Sequence, residues 1–98
     1  MTSLIICKVI GKAISTMKDK RLSGHTMLIV GRVEADPEVV SDTFVALDTV
    51  GAGEGEMVGV VQGSSAQKAF DKEGMPVDAV AVAIFDSLVV KGKEIYKK

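Results

Sequence analysis

Tryptophan is absent from this 98-residue chain, and its aromatics are limited to Phe44, Phe70, Phe85 and Tyr96. It has one cysteine, one histidine and two prolines. The lone Cys7 excludes an intrachain disulfide framework. No Cys-x-x-Cys, His-x-x-x-His or EF-hand spacing is present, so no metal site is expected. Lys8, Lys12, Asp78 and Asp86 interrupt the apolar runs well short of the roughly 18 to 20 residues a membrane helix needs, so no membrane partner is expected. No basic start leads into a small-residue cleavage site, and a reducing cytoplasm is the expected location. Neither sign of charge dominates. With 12 basic and 13 acidic residues, the net charge of -1 draws the chain neither to nucleic acid nor to anionic membrane.

What the chain has in quantity is apolar surface. Hydrophobic residues make up 47% of it, which is high for a small monomer that must wet its exterior. Large exposed apolar patches mark interfaces, so association with other chains is expected. The length suits a single domain over residues 1–98.

The chain reads as a series of strands. Leu4 to Ile14 places Cys7, Val9, Gly11 and Ala13 on one face, with Ile6, Lys8, Ile10 and Lys12 on the other. A charged loop, Ser15 to His25, contains Lys18 to Arg21 and leads to a second strand over Thr26 to Val33. Asp36-Pro37 breaks an acidic connection before a short third strand, Thr43 to Leu47. A glycine-rich turn over Asp48-Thr49-Val50-Gly51-Ala52-Gly53-Glu54-Gly55 leads to a fourth strand, Met57 to Val61. Ser64 with Gln67 forms a capping box for a short helix that ends before Gly74 and Pro76.

The last long strand is expected to run from Val77 or Ala79 to Val90. Its core is apolar on both faces, with Ala79, Ala81 and Ala83 on a small-residue side open to a close neighbour and Val80, Val82 and Ile84 filling the interior. Lys91-Gly92-Lys93 turns the chain into a terminal strand around Glu94-Ile95-Tyr96. Five strands with one short helix describe an all-β fold, a five-stranded OB-like β-barrel.

Residues for chemistry are sparse. Cys7 lies in an apolar strand and His25 beside a turn, so they read as core packing and a turn residue and not as a nucleophile and its base. The glycine turn lacks the lysine and hydroxyl of a Walker loop, and Glu54 and Glu56 repel phosphate. A strand follows the turn, which excludes a dinucleotide fingerprint. Asp48, Asp78 and Asp86 read as turn caps, salt-bridge partners or interface acceptors. Catalytic, cofactor-binding and metal residues are therefore expected to be none.

Three ordered blocks carry a family likeness: Ala46-Leu47-Asp48-Thr49-Val50-Gly51-Ala52-Gly53, Val60-Val61-Gln62-Gly63-Ser64-Ser65-Ala66, and Pro76-Val77-Asp78-Ala79 through Val82-Ala83-Ile84-Phe85-Asp86. Cys7-Lys8-Val9-Ile10-Gly11 and the Leu22-Ser23-Gly24 turn also fit. Across nearly its whole length the chain resembles the pentameric vertex proteins of bacterial microcompartment shells, the EutN/CcmL family. Gln67 and His25-Thr26 depart from the family's usual residues.

The resemblance implies an OB-like barrel that assembles as a homopentamer and closes shell vertices beside hexameric shell proteins, without catalysis. Under it, the loop from Asp48 to Gly55 is expected near the five-fold axis, where bulk at Gly53 would weaken the ring. Gly63, Ser64, Ser65, Ala79, Ala81, Ala83 and Asp86 are the expected interface residues. The alternative is an OB-like module binding single-stranded nucleic acid. That role calls for a basic groove with stacking aromatics, which this composition does not supply.

Overall fold

In the computed structural model of the chain, residues 4–14, 25–63 and 78–98 are described. Five strands close into a barrel: β1 (Leu4–Ala13), β2 (Thr26–Val33), β3 (Val40–Asp48), β4 (Met57–Gln62) and β5 (Ala79–Ile84), in the order β1-β2-β3-β5-β4. All ladders are antiparallel except β3 with β5, which is parallel. The five-stranded barrel expected from the sequence is therefore present. The expected helix after Ser64 lies outside the described residues.

Period-2 alternation explains the interior. Cys7 and Val9 of β1, Leu28 and Val30 of β2, Ala46 of β3, and Val58 and Val60 of β4 all point into one buried cluster. Closure removes the exposed ladder edges that an open sheet would present. Local irregularities bend the strands to achieve it. Register shifts fall between Val9 and Gly11 of β1, leaving Ile10 as the extra residue, and between Val30 and Arg32 of β2, where Gly31 stands against both Asp42 and Thr43 of β3 and Asp42 takes a positive φ of 48°. Gly31 leaves room for the Val40 side chain of β3: a Cβ at that position would lie 1.8 Å from its Cγ1.

A third shift changes the reading of β5. Gly59 pairs with Ala83 while Val60 pairs with Ala81, so Val82 is the extra residue and the alternation slips by one. A slip of one residue exchanges the two faces of a strand. Ala79 and Ala81 therefore belong to the interior cluster, Ile84 packs against it, and Ala83 faces the other way. The expectation of a small-residue side of Ala79, Ala81 and Ala83 open to a neighbour is corrected: at 3% and 0% exposure, Ala79 and Ala81 are inside the chain's own barrel.

The last strand is also two strands and not one. β5 stops at Ile84, the chain bends at Asp86, and β6 (Ser87–Val90) pairs with β7 (Lys93–Lys97) in a separate two-stranded sheet. Apolar composition continues through this break, but the ladder does not: the Phe85 amide donates to the Met57 carbonyl at 2.9 Å, and β4 has no earlier residue to pair with. The Lys91-Gly92 turn has positive φ at both residues, 53° and 76°, which matches the twist of a tight hairpin.

Candidate functional site

The segment between β3 and β4 is organised by two carboxylates. Asp48, at the end of β3, is 9% exposed. Its Oδ1 accepts hydrogen bonds from the amides of Val50 and Gly51, both at 3.0 Å, and its Oδ2 accepts one from Ala52 at 3.0 Å. The side chain of Thr49 donates to the Ala81 carbonyl at 2.7 Å, tying the loop to β5. Ala52 is buried in the barrel cluster and plugs the loop into the interior. Gly51 and Gly55 take φ of 75° and 90°, a region that favours glycine and lets the chain reverse around the Asp48 carboxylate.

Glu56 closes the other end. Its Oε1 accepts the Gly53 amide, and its Oε2 pairs with Nζ of Lys98 at 2.9 Å. The Gly53 amide, then the Lys98 ammonium, hold the Glu56 carboxyl below the ordinary carboxylate range; in return Glu56 raises Lys98. Reciprocal backbone bonds fasten the loop to β1: the Gly55 amide donates to the Val9 carbonyl at 2.8 Å, and the Val9 amide to the Glu56 carbonyl at 2.9 Å.

A phosphate-cradling loop needs free amides facing a positive field. Here the amides of Val50, Gly51, Ala52 and Gly53 all donate to the chain's own carboxylates. The arrangement is a rigid, negatively charged turn that leaves those donors unavailable to an anion. A Cβ at Gly53 would lie 3.3 Å from Oε1 of Glu56, so bulk there presses first on the loop's own carboxylate.

The other residues picked out from the sequence are dispersed. Gly63 is exposed, and its amide donates to the Asp78 carbonyl at 2.8 Å; Ser64 and Ser65 lie outside the described residues. Ala83 is half-buried and Asp86 exposed. Asp86 does approach the loop's anchor, because its carbonyl accepts the Lys98 amide at 2.8 Å. The sequence reading missed Glu56 and Lys98 as loop fasteners. The available signal was a carboxylate placed directly after the glycine turn, three residues from Gly53.

Cys7 is fully buried, and burial pushes its thiol up to about 11 against a smaller opposing effect of Arg32, the reverse of what a nucleophilic cysteine needs. Among the described residues no group of three or more His, Cys, Asp or Glu is placed to hold a metal ion. Among them, too, no helix is long and apolar enough to cross a membrane.

Comparison with known proteins places this geometry. A family model described as ethanolamine utilisation protein EutN/carboxysome matches residues 4–86. The bacterial microcompartment shell vertex protein GrpN of Rhodospirillum rubrum is 43% identical over 81 residues, covering 83% of this chain and 91% of that protein. The carboxysome shell vertex protein CcmL of Synechococcus elongatus is 37% identical over 93 residues, 95% of this chain and 94% of its own length.

Solved structures agree. An ethanolamine utilisation protein EutN superposes with a TM-score of 0.83 at 34% identity, covering 96% of this chain and 98% of that one. GrpN, described as a pentameric microcompartment shell protein from Rhodospirillum rubrum, superposes with a TM-score of 0.72 at 40% identity, covering 88% and 98%. On the matched strands, the loop and the barrel, the chain belongs to the EutN/carboxysome family.

Proposed function

We propose that the chain is a structural protein of a bacterial microcompartment shell, forming a homopentamer that closes the shell's vertices. The observation that carries this reading is similarity over almost the full length to proteins named as shell vertex proteins, GrpN among them, whose structure is described as pentameric. The reading also accounts for a barrel with much exposed aliphatic surface, including Ile14, Val39 and Val89 at 98%, 62% and 62% exposure. The protein works in the cytoplasm, in the shell, and performs no catalysis.

The rigid turn from Asp48 to Gly55 lies near the five-fold axis, where the amides of Val50 to Gly53, already held by Asp48 and Glu56, need no partner from a neighbouring copy. Gly63, Ser64, Ser65, Ala83 and Asp86 contribute to contacts between copies. Hexameric shell proteins are the neighbouring partners, because a net of six-fold units is flat and five-fold units give it the curvature that closes it. Co-expression with such hexamers, followed by electron microscopy, tests the role. Closed polyhedral shells that open or elongate when this chain is omitted are expected; shells that close equally well without it would remove the vertex assignment.

A further inference from the structure

The ladders that close the barrel are unequal. Among the described residues, β3 and β5 pair only at Leu47 with Val80 and at Asp48 with Ala81. β1, by contrast, pairs with β4 from Leu4 to Lys8 and with β2 from Cys7 to Ala13. The β3–β5 ladder is also the parallel one, and parallel pairing is slightly less stable per residue. It stops at Asp48, where β3 ends. Opening it leaves every other ladder of the barrel intact, as an antiparallel sheet in the order β3-β2-β1-β4-β5 with β3 and β5 as its edges. Such edges offer unpaired amides and carbonyls to other chains.

The loop after β3 fastens this seam. The Thr49 amide donates to the Ala81 carbonyl at 3.3 Å, and the Thr49 hydroxyl donates to the same oxygen at 2.7 Å. Ala81 is fully buried, so losing the closer donor would leave its carbonyl poorly satisfied away from water. Thr49 is itself held in place by its neighbours. Asp48 gathers the amides of Val50, Gly51 and Ala52 on one carboxylate, and Ala52 lies in the same interior cluster as Ala46 and Ala81. The turn is therefore pinned before and after the hydroxyl that reaches β5.

We infer that the Asp48 turn is a lock on the seam of the barrel: the barrel opens between β3 and β5 as a unit smaller than the whole fold, and Thr49 on the Ala81 carbonyl is the bond that opposes this opening. Openings of this kind lie below global unfolding in free energy and expose less surface. The lock belongs to a single chain, and whatever holds the turn in place holds the barrel shut.

Hydrogen exchange of the full-length chain, followed by mass spectrometry in a urea series below the unfolding transition, tests the lock, with protection taken relative to intrinsic rates at fixed pH. In the unmodified chain, residues 47–49 and 79–81 are expected to exchange through an opening with about half the urea dependence of the β1–β2 ladder, or less. Thr49→Val keeps the shape and removes the hydroxyl, and should lower protection at the seam about fivefold. Thr49→Ser keeps the donor and should stay near the unmodified value, whereas Asp48→Asn should lower seam protection by loosening the turn that carries Thr49. A seam that shares both protection and urea dependence with the β1–β2 ladder would overturn the inference, because the barrel then opens only as a whole. A folded Thr49→Val variant with unchanged seam protection would also overturn it, as would a Thr49→Ser variant that loses as much, since the hydroxyl would then not be the fastening. Unchanged protection in Asp48→Asn would overturn the role of the turn.

Discussion

Asp48 shows how one side chain can fix a loop. Three backbone amides converge on its carboxylate, and only a charged, acceptor-only group satisfies all of them. Asp48→Ala is expected to cost about 2 to 3 kcal/mol, the range for losing hydrogen bonds to a charged group at a buried site. Asp48→Asn keeps the shape but turns an NH2 toward an amide donor, so its loss should be smaller but still measurable in the urea midpoint. An Asn variant as stable as the unmodified chain would mean the charge has no role in the turn.

Cys7 makes a prediction in pH. Its thiol ionises at an ordinary value of 9.0 when unfolded and at about 11 in the barrel, so the folded state holds the proton longer. Stability is therefore unaffected by this group below pH 9 and falls as pH rises from 9 toward 11. Cys7→Ala should remove that part of the decline, as read from the difference between the two pH–stability curves. Parallel curves would contradict the burial argument. In the native protein the thiol should also resist alkylation until the chain unfolds.

At the scale of elements, the strands of the barrel were legible because alternation is a direct consequence of the pleat. Cys7 and Val9 against Lys8 and Ile10 already separate inside from outside. The turn at Lys91-Gly92 was legible from Gly92, which takes positive φ without strain. The slip at Val82 was not, because Ala-Val-Ala-Val-Ala carries apolar residues on both faces and either register buries them. The end of β5 was hidden likewise, since hydrophobicity runs on into β6 while the partner strand stops. The resemblance supplied the family, but the pairing of Glu56 with Lys98 joins residues distant in sequence and left no local signal.

That fastening is itself testable. With Glu56 held below its ordinary value of 4.5, its contribution is present above that pH and is lost as pH falls through the lower folded value. Protection of the Gly53 amide, measured relative to its intrinsic exchange rate at each pH, should therefore fall on acidification, and at neutral pH in Glu56→Ala. Lys98→Ala should have the smaller effect, because the Gly53 bond is the larger cause of the shift and Lys98 is half exposed. Equal exchange rates in all three proteins would show that the carboxylate does not hold the loop.

At the scale of the whole molecule, the chain invests in a closed barrel and a rigid turn, and it leaves aliphatics on its exterior. Leu4, Ile10, Val45 and Val89 are all more than one-third exposed. A self-sufficient monomer gains nothing from such a surface, whereas a subunit of a ring buries it. Family membership, the engagement of the Val50 to Gly53 amides by the chain's own carboxylates and the exposed aliphatics all point to assembly as the purpose of the fold. Native mass spectrometry of the purified chain tests that claim most directly. The account predicts a dominant species at five times the 10.3 kDa chain mass; a stable monomer at micromolar concentration would contradict it.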